Sequence, residues 1–377
     1  MYFPITEEQE MIRLMVKQFS RREVAPGAAE RDKSGEFPRE LIAKMAELGL
    51  LGMMVPVEYG GSEVGAVAYV LALMEIAKSC AATAVTMSVT NLSGAPIAGH
   101  GTEEQKRKFL VPIASGKTVG AFALTEPNAG SNLAEVATKA KKTKGGYVID
   151  GAKLFITNGS EAGIVMVLAR TGAGGGRGLS VFVVEKGTKG LIVGRKVHKM
   201  GLRASDTVEL MFEGCEVPKE NMIGDAGDGF KVIAEALDSG RIGIAAQATG
   251  MIEACLEEAK TYATERRQFN KPLKGHQAIQ WMIAEIASDL EASRLLTLSA
   301  AALKDRGEPY TREASMAKLF ASEALIRSAY KALQVHGGYG YIDEFPIERI
   351  YRDARVTTIY EGTSEVQKMV IARETFK

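Results

Sequence analysis

The sequence lacks most of what marks the commoner enzyme chemistries. Its three cysteines (Cys80, Cys215, Cys255) are widely spaced and odd in number, which argues against a disulfide framework. Four histidines (His100, His198, His276, His336) lie scattered. No H-E-x-x-H, C-x-x-C or G-x-S-x-G occurs, so hydrolase readings lose their support and no metal is expected. Charge of one sign is missing too, with 47 Lys and Arg against 46 Asp and Glu, a net +1. Near-neutrality offers no footprint for nucleic acid and no polybasic membrane patch. The longest apolar stretches, such as Ala66–Met74, fall far short of the roughly 20 residues that span a bilayer. The opening MYFPITEEQE has no apolar or Arg/Ser-rich leader. A cytoplasmic location is expected, or the mitochondrial matrix if a leader has been removed. A Rossmann loop is absent as well. Gly172–Gly178 places Arg177 at the sixth position of G-x-G-x-x-G, and a strand pattern follows it instead of a helix, so it reads as a flexible hairpin loop.

What is present is enough apolar material for a real core: 46% of 377 residues are hydrophobic, and the length fits two or three domains. Residues 1–117 read as helices. Thr6-x-x-Gln9 and Thr102-x-x-Gln105 are capping boxes, and Pro38–Leu48 and Ala66–Ala77 are helical stretches. In residues 118–225 the texture changes. Eighteen of the forty glycines fall there, and periodicity moves towards two, which favours strands. Tyr147–Thr157 reads as two strands joined at Asp150-Gly151, a hairpin signal. Further strands are expected at Ile164–Arg170, Leu179–Glu185, Leu191–Lys196 and Val208–Phe212. No long helix interrupts them, so the sheet is expected to be antiparallel and barrel- or sandwich-like. Residues 226–377 return to long helices, with apolar stripes through Ile279–Leu290 and Met316–Leu333. The expected class is α+β, with a helical domain, a β-domain and a helical bundle in that order. The outer two are expected to pack together.

Three segments place functional groups on irregular backbone. Phe122–Ser131 (FALTEPNAGS) contains a Pro-Asn-Ala-Gly-Ser turn, either a plain connection or a cradle of N–H groups and hydroxyls for phosphates or carbonyls. Gln334–Tyr341 (QVHGGYGY) ends a long helix, either as a C-cap and tight turn or as glycine backbone open to a flat or phosphorylated ligand. In Tyr360–Gln367 (YEGTSEVQ), Ser364-x-x-Gln367 reads as a capping box with Glu361 just before the helix. Glu361 is then either a solvated charge favourable to the macrodipole or a general base between Tyr360 and Gly362, whose missing side chain leaves room for a substrate. Burial raises the pKa of such a carboxyl and a helix N-terminus lowers it, and the sequence leaves the winner open. Cys80 and Cys255 are expected in apolar helices and Cys215 on a β-edge turn. His336 reads as a structural hydrogen-bonder, and Trp281 as a fluorescence reporter on a helix.

Together these segments resemble the acyl-CoA dehydrogenase family. The match runs from about Thr6 to Arg373, through FALTEPNAGS, Lys153–Gly159 (KLFITNG), Leu237–Gly250 (LDSGRIGIAAQATG), Tyr262–Leu273 (YATERRQFNKPL), QVHGGYGY and Ile350–Gln367. The motifs carry weight by number and order. The resemblance implies an N-terminal helical domain, a middle antiparallel β-domain and a C-terminal four-helix bundle, assembled as a homotetramer. It implies non-covalent FAD, an acyl-CoA substrate and electron-transfer flavoprotein as acceptor. By the same resemblance Glu361 is the base that removes the α-proton while the β-hydrogen passes to the flavin as hydride.

Further positions carry over by motif. Phe122, Leu124, Thr125 and Ser131 match positions around the flavin ring and pyrophosphate, and Phe155, Ile156 and Thr157 match residues stacked on the ring. Arg266, Phe269, Gln277, Gln334, Gly337 and Gly338 match positions that reach the FAD of a neighbouring subunit, and Thr363 and Glu365 complete the cofactor set. Ser131, Asp238 and Arg241 match substrate positions, with Tyr360 and Gly362 flanking the base. Long-chain and isovaleryl-type relatives resemble a pattern with the base where this chain has Gly240. Glutaryl-CoA enzymes resemble one with Arg at Ala84. A short-chain, butyryl-CoA-like substrate is therefore the first expectation. A branched or cyclic acyl-CoA, an acyl-CoA oxidase (usually a much longer chain) and a non-catalytic assembly or binding protein are the alternatives.

Overall fold

The computed structural model describes residues 4–377. Helices come first: α1 (Glu7–Phe19), α2 (Ala28–Ser34), α3 (Arg39–Glu47), α4 (Gly65–Ser79), α5 (Ala81–His100), α6 (Glu103–Gln105) and α7 (Val111–Ala114). Both expected capping boxes form at Thr6 and Thr102, each hydroxyl accepting from the N–H three residues on. Helices α4 and α5 meet at the buried Cys80, which lies at their joint, not inside either helix. Their residues are buried nearly all round, the mark of interior helices.

Eight strands follow: β1 (Gly120–Ala123), β2 (Lys139–Lys142), β3 (Gly146–Thr157), β4 (Ile164–Arg170), β5 (Leu179–Glu185), β6 (Leu191–Lys196), β7 (Thr207–Pro218) and β8 (Met222–Ile223). They pair in the order β6-β7-β3-β2-β4-β5-β8, with β1 beside β4. Most pairs are antiparallel, as expected, but β1 runs parallel to β4 and β2 meets β4 at one parallel pair. From β1 the chain passes through the 124–138 turn and the β2–β3 hairpin before returning as β4. That crossover is long enough to permit parallel pairing without a helix.

The expected hairpin at Asp150-Gly151 does not form. β3 is one continuous strand, because residues on both sides of the Asp-Gly pair hydrogen-bond to the same neighbour, β7. The pair instead marks a register shift between Ile149 and Gly151, with Asp150 accepting from the Gly214 N–H at 2.7 Å. Cys215 is likewise not on a turn. It sits within β7, opposite Ile149 and fully buried. Alternate residues of β4 and β5 serve two cores: Val165, Val167, Phe182 and Val184 face one, Ile164, Met166, Leu168, Val181 and Val183 the other. Burial on both faces is why these strands read as unbroken apolar runs.

The chain ends in α8 (Gly229–Glu265), a short hairpin of β9 (Arg267–Gln268) and β10 (Lys271–Pro272), then α9 (Gln277–Asp305), α10 (Thr311–His336), α11 (Pro346–Ala354) and α12 (Ser364–Thr375). Helices α8, α9 and α10 pack on one another and α12 lies against α10. The two helical parts meet as expected. A Cβ on Gly250 of α8 would stand 2.2 Å from the Met74 carbonyl oxygen of α4, so only glycine permits that approach. The Asp305 carboxylate accepts from the first N–H groups of α4, at Ala66 (2.5 Å) and Val67 (2.9 Å). Among the described residues no helix is long and apolar enough to cross a membrane.

Candidate active site

At the seam where α8, α10 and α12 meet, the chain adopts two consecutive positive φ values, 54° at Glu361 and 89° at Gly362. For a non-glycine residue that conformation costs on the order of 1–3 kcal/mol and persists only where the surroundings enforce it. Here they do. The Tyr360 hydroxyl donates to Gln247 Oε1 of α8 at 2.6 Å. Gln367 Nε2 donates to the carbonyls of Gly362 (2.9 Å) and Glu361 (3.2 Å). Lys318 Nζ of α10 donates to the Gly362 carbonyl at 2.7 Å. The α12 N-cap is Thr363, which accepts from the Val366 N–H at 3.3 Å, and not Ser364 as the capping-box reading expected. The Ser364 hydroxyl instead donates to Glu323 at 2.6 Å, and Gln367 faces back to the Glu361 loop.

This loop delivers a carboxylate with unmet polarity. Glu361 Oε2 is sealed from solvent and has no hydrogen-bond partner among the described residues. Burial pushes the carboxyl up to about 7, against the opposing pull of Lys318 and Arg241. Burial thus outweighs the two cations that face the carboxyl. A Cβ on Gly240 of α8 would come within 2.7 Å of Oε2. Glycine at this position therefore leaves the Glu361 carboxylate its room.

Flanking Gly240 in α8, Asp238 and Arg241 form a largely buried ion pair, and the Thr311 hydroxyl donates to Asp238. Arg241 is 7% exposed and its Nε lacks a partner, so it faces an interior where a polar ligand group would be satisfied. Ser131 lies on an exposed turn in the β-region, and Glu365 is exposed on the first turn of α12.

The β-region residues form a second group. The Thr125 carbonyl accepts from the Leu154 N–H at 2.8 Å, and Lys153 Nζ donates to the Leu124 carbonyl (3.0 Å) and Glu126 Oε1 (2.8 Å). These bonds bring the FALTEP turn beside Phe155, Ile156 and Thr157. Phe155, at φ 58°, is held 62% exposed. Phe122 and Thr157 are half-buried and Ile156 is buried. A third group lines an open cleft of about 480 Å³, with Arg266, Gln334, Gly337 and Gly338 among Tyr262 and His336. Phe269 packs edge-on to His276, which precedes the exposed Gln277 at the start of α9. His336 makes the expected structural bond, Nδ1 to the Ala332 carbonyl at 2.8 Å, while its buried Nε2 has no partner. The β-region residues are absent from the cleft lining.

These features fit a dinucleotide with a flat ring. Phe155 supplies an outward aromatic face. The Gly337–Gly338 backbone is open, since a Cβ on either meets nothing within 4 Å. Arg266 supplies charge beside that open backbone. The sequence reading missed Gln247 and Lys318 and gave Gln367 only a capping-box role. For Lys318 a signal existed: a lysine inside the buried face formed by Ala314, Ala317, Ala321 and Leu325.

Three family models match in register with the chain. They are described as acyl-CoA dehydrogenase N-terminal domain (residues 6–117), middle domain (121–215) and C-terminal domain (227–376). The chain is 46% identical to a short-chain specific acyl-CoA dehydrogenase of Clostridium acetobutylicum, covering 100% of both proteins. Among solved structures it matches butyryl-CoA dehydrogenase of Megasphaera elsdenii (43% identity, TM-score 0.98, 100% of both chains). It matches equally a chain from a structure concerned with the electron transferring flavoprotein of Acidaminococcus fermentans and flavin-based electron bifurcation (45% identity, TM-score 0.98, 100% of both chains).

Proposed function

The chain belongs to the acyl-CoA dehydrogenase family, and from that premise we propose that it dehydrogenates a short-chain acyl-CoA to the trans-2-enoyl-CoA, with Glu361 as the α-proton base. It is an FAD-dependent enzyme by family. The observation that carries the reading is the Glu361 carboxylate: strained into place, unpartnered at Oε2, raised to about 7 and facing the space left by Gly240. A base poised near the working pH combines availability with proton affinity, and such a base is worth about 10²–10⁴-fold.

In this mechanism the acyl chain enters the seam with its α-carbon beside Glu361. Asp238 and Arg241 take polar groups of the CoA arm, joined by Ser131 from the β-region. The thioester oxygen accepts from the Glu361 N–H, which lowers the barrier to enolate formation. Glu361 then accepts the α-proton. When bound, the flavin serves as acceptor for the β-hydrogen, taken as hydride. Phe122, Leu124, Thr125, Phe155, Ile156 and Thr157 would hold its ring and Ser131 its pyrophosphate. Arg266, Phe269, Gln277, Gln334, Gly337 and Gly338 of a neighbouring subunit would hold its nucleotide end, with Thr363 and Glu365 at the α12 start. The enzyme is then a homotetramer that passes electrons to electron-transfer flavoprotein.

Anaerobic titration of the FAD-loaded protein with butyryl-CoA tests this: the yellow colour is expected to bleach in the wild type and to persist in Glu361→Gln. A protein that bleaches with no acyl-CoA across a range of chain lengths would overturn the reading. A panel of linear, branched and cyclic thioesters, scored by kcat/KM, fixes the substrate.

A further inference from the structure

One buried charge near the seam takes part in none of the steps above. Lys318 has no exposed surface, and its neighbours on α10, Ala314, Ala317, Ala321 and Ser322, are buried as well. Burying an ammonium costs several kcal/mol unless its donors and charge are met, so an apolar side chain of similar length is the cheaper filling for this site. Among the described residues, the one hydrogen bond its Nζ makes is to the Gly362 carbonyl, at 2.7 Å. That carbonyl also accepts from Gln367 Nε2. Two donors thus converge on the peptide that follows the positive-φ pair Glu361-Gly362. Arg241, also at the seam, is paired with Asp238, whereas the nearby Glu323 is engaged by the Ser364 hydroxyl.

We propose that Lys318 is a positioning residue of the dehydrogenation: its ammonium pins the Gly362 carbonyl, and with it the left-handed Glu361, and sets an unpaired positive charge beside the reacting carboxylate. The proposal rests on Glu361 being the base. Arg241 of α8 acts on Glu361 in the same direction as Lys318, and Lys318 is the larger influence. Glu323 of α10 and Glu365 of α12 act on Lys318, with Arg241 opposing them. Tyr360, bonded to Gln247, and Tyr69 of α4, bonded to Ser88, feel the Glu361 charge and are both pushed well up by burial. Burial draws Lys318 down to about 8, so it is charged at neutral pH and neutral in alkali.

The pH dependence of kcat/KM, measured on flavin-loaded wild type, Lys318→Met, Lys318→Arg and Glu361→Gln, decides the matter. Removing the ammonium takes away a stabiliser of the Glu361 carboxylate. The acidic limb in Lys318→Met is therefore expected to move up by on the order of one pH unit. Below the limb that is about a ten-fold loss. Lys318→Arg keeps the charge and is expected to keep the limb near its wild-type position. A folded, flavin-loaded Lys318→Met with an unmoved limb gives Lys318 a structural role only and overturns the proposal. If Lys318→Met fails to fold, Lys318→Gln carries the same reading, and loss of the fold in both overturns it equally. Glu361→Gln separates the two failures. Turnover retained there removes the base assignment itself, whereas turnover lost there with an unmoved limb in Lys318→Met removes only the role of Lys318.

Discussion

Two carboxylates buried in this molecule meet opposite fates. Glu126, in the turn after β1, is saturated: it pairs with the fully buried Lys153 at 2.8 Å and accepts from the N–H groups of Ala137 (2.6 Å) and Thr138 (3.0 Å). These contacts overcome burial and hold its carboxyl below the ordinary 4.5. Glu361, at the helical seam, has cations nearby but no bond to Oε2, and burial carries it up to about 7. Both sit beside irregular backbone in motifs of the same family. The difference is that one carboxylate completes a hydrogen-bond network and the other leaves its own incomplete. A saturated carboxylate shapes the turn beside Phe155, Ile156 and Thr157, and an unsaturated one is free to take a proton.

The comparison breaks most sharply when each is neutralised. Glu126→Gln strands the buried Lys153 ammonium, and breaking a buried pair from one side costs about 3–5 kcal/mol. We expect a fall in Tm of several degrees and loss of flavin through the displaced FALTEP turn, read by thermal unfolding and flavin absorbance. An unchanged Tm would mean that the pair is not a structural element. Glu361→Gln should do the reverse. Its folded-state pKa is raised, so its contribution to stability is complete below 4.5 and is lost as pH rises through about 7. At pH 8 the wild type carries a penalty on the order of 3 kcal/mol that the amide lacks. The Tm difference, Glu361→Gln minus wild type, should therefore grow from pH 5 to pH 8. Glu126 has the opposite sign. Its pKa is lowered, so its stabilisation is present above 4.5 and fades as pH falls through the lowered value. The Glu126→Gln deficit should accordingly shrink in acid. Equal pH trends for the two variants would erase the distinction.

A third change acts on geometry alone. The atom that a Cβ on Gly240 would meet is the mobile tip of Glu361, with Leu92 beyond it. Gly240→Ala therefore has little effect on stability, since alanine favours the helix by about 1 kcal/mol, but it displaces the carboxylate. Misplacement by about an ångström costs on the order of 10²-fold. The expected outcome is a kcat lower by roughly ten- to a hundred-fold at unchanged Tm. A loss of stability without loss of turnover would place Glu361 elsewhere.

How much of this was legible in the sequence follows from the range of each interaction. Strands β4, β5 and β6 were read to the residue, and the capping boxes at Thr6 and Thr102 formed as written, because those signals are local. Glu361 stood out through its glycine neighbour and the helix start. What failed was local chemistry overruled by distant partners. Asp150-Gly151 has hairpin composition, yet β7, more than fifty residues on, pairs with both its flanks. The Lys153–Glu126 pair and the Lys318–Gly362 bond span 27 and 44 residues, beyond any periodicity window. Lys318 was passed over because the apolar stripe around it reads as core filler, and only its position against the Glu361 loop gives the charge a meaning.

The smallest effect tests the finest of these misreadings, the helix start after the Glu361 loop. Thr363 accepts from the Val366 N–H, whereas the Ser364 hydroxyl is committed to Glu323. Loss of an N-cap costs about 1 kcal/mol, and serine caps at least as well as threonine. Thr363→Ala should therefore lower Tm slightly and speed amide exchange at Val366, while Thr363→Ser should do neither. If both variants lose the same stability, the threonine methyl and not its hydroxyl is what matters, and Thr363 is not the cap. If Thr363→Ala also lowers kcat, the cap belongs to the restraints on the strained Glu361 backbone, because the only residue between them is Gly362. Glu126 offers no parallel: it is anchored by three partners on its own carboxylate, so its turn tolerates a loosened neighbour that Glu361, held through its backbone alone, does not.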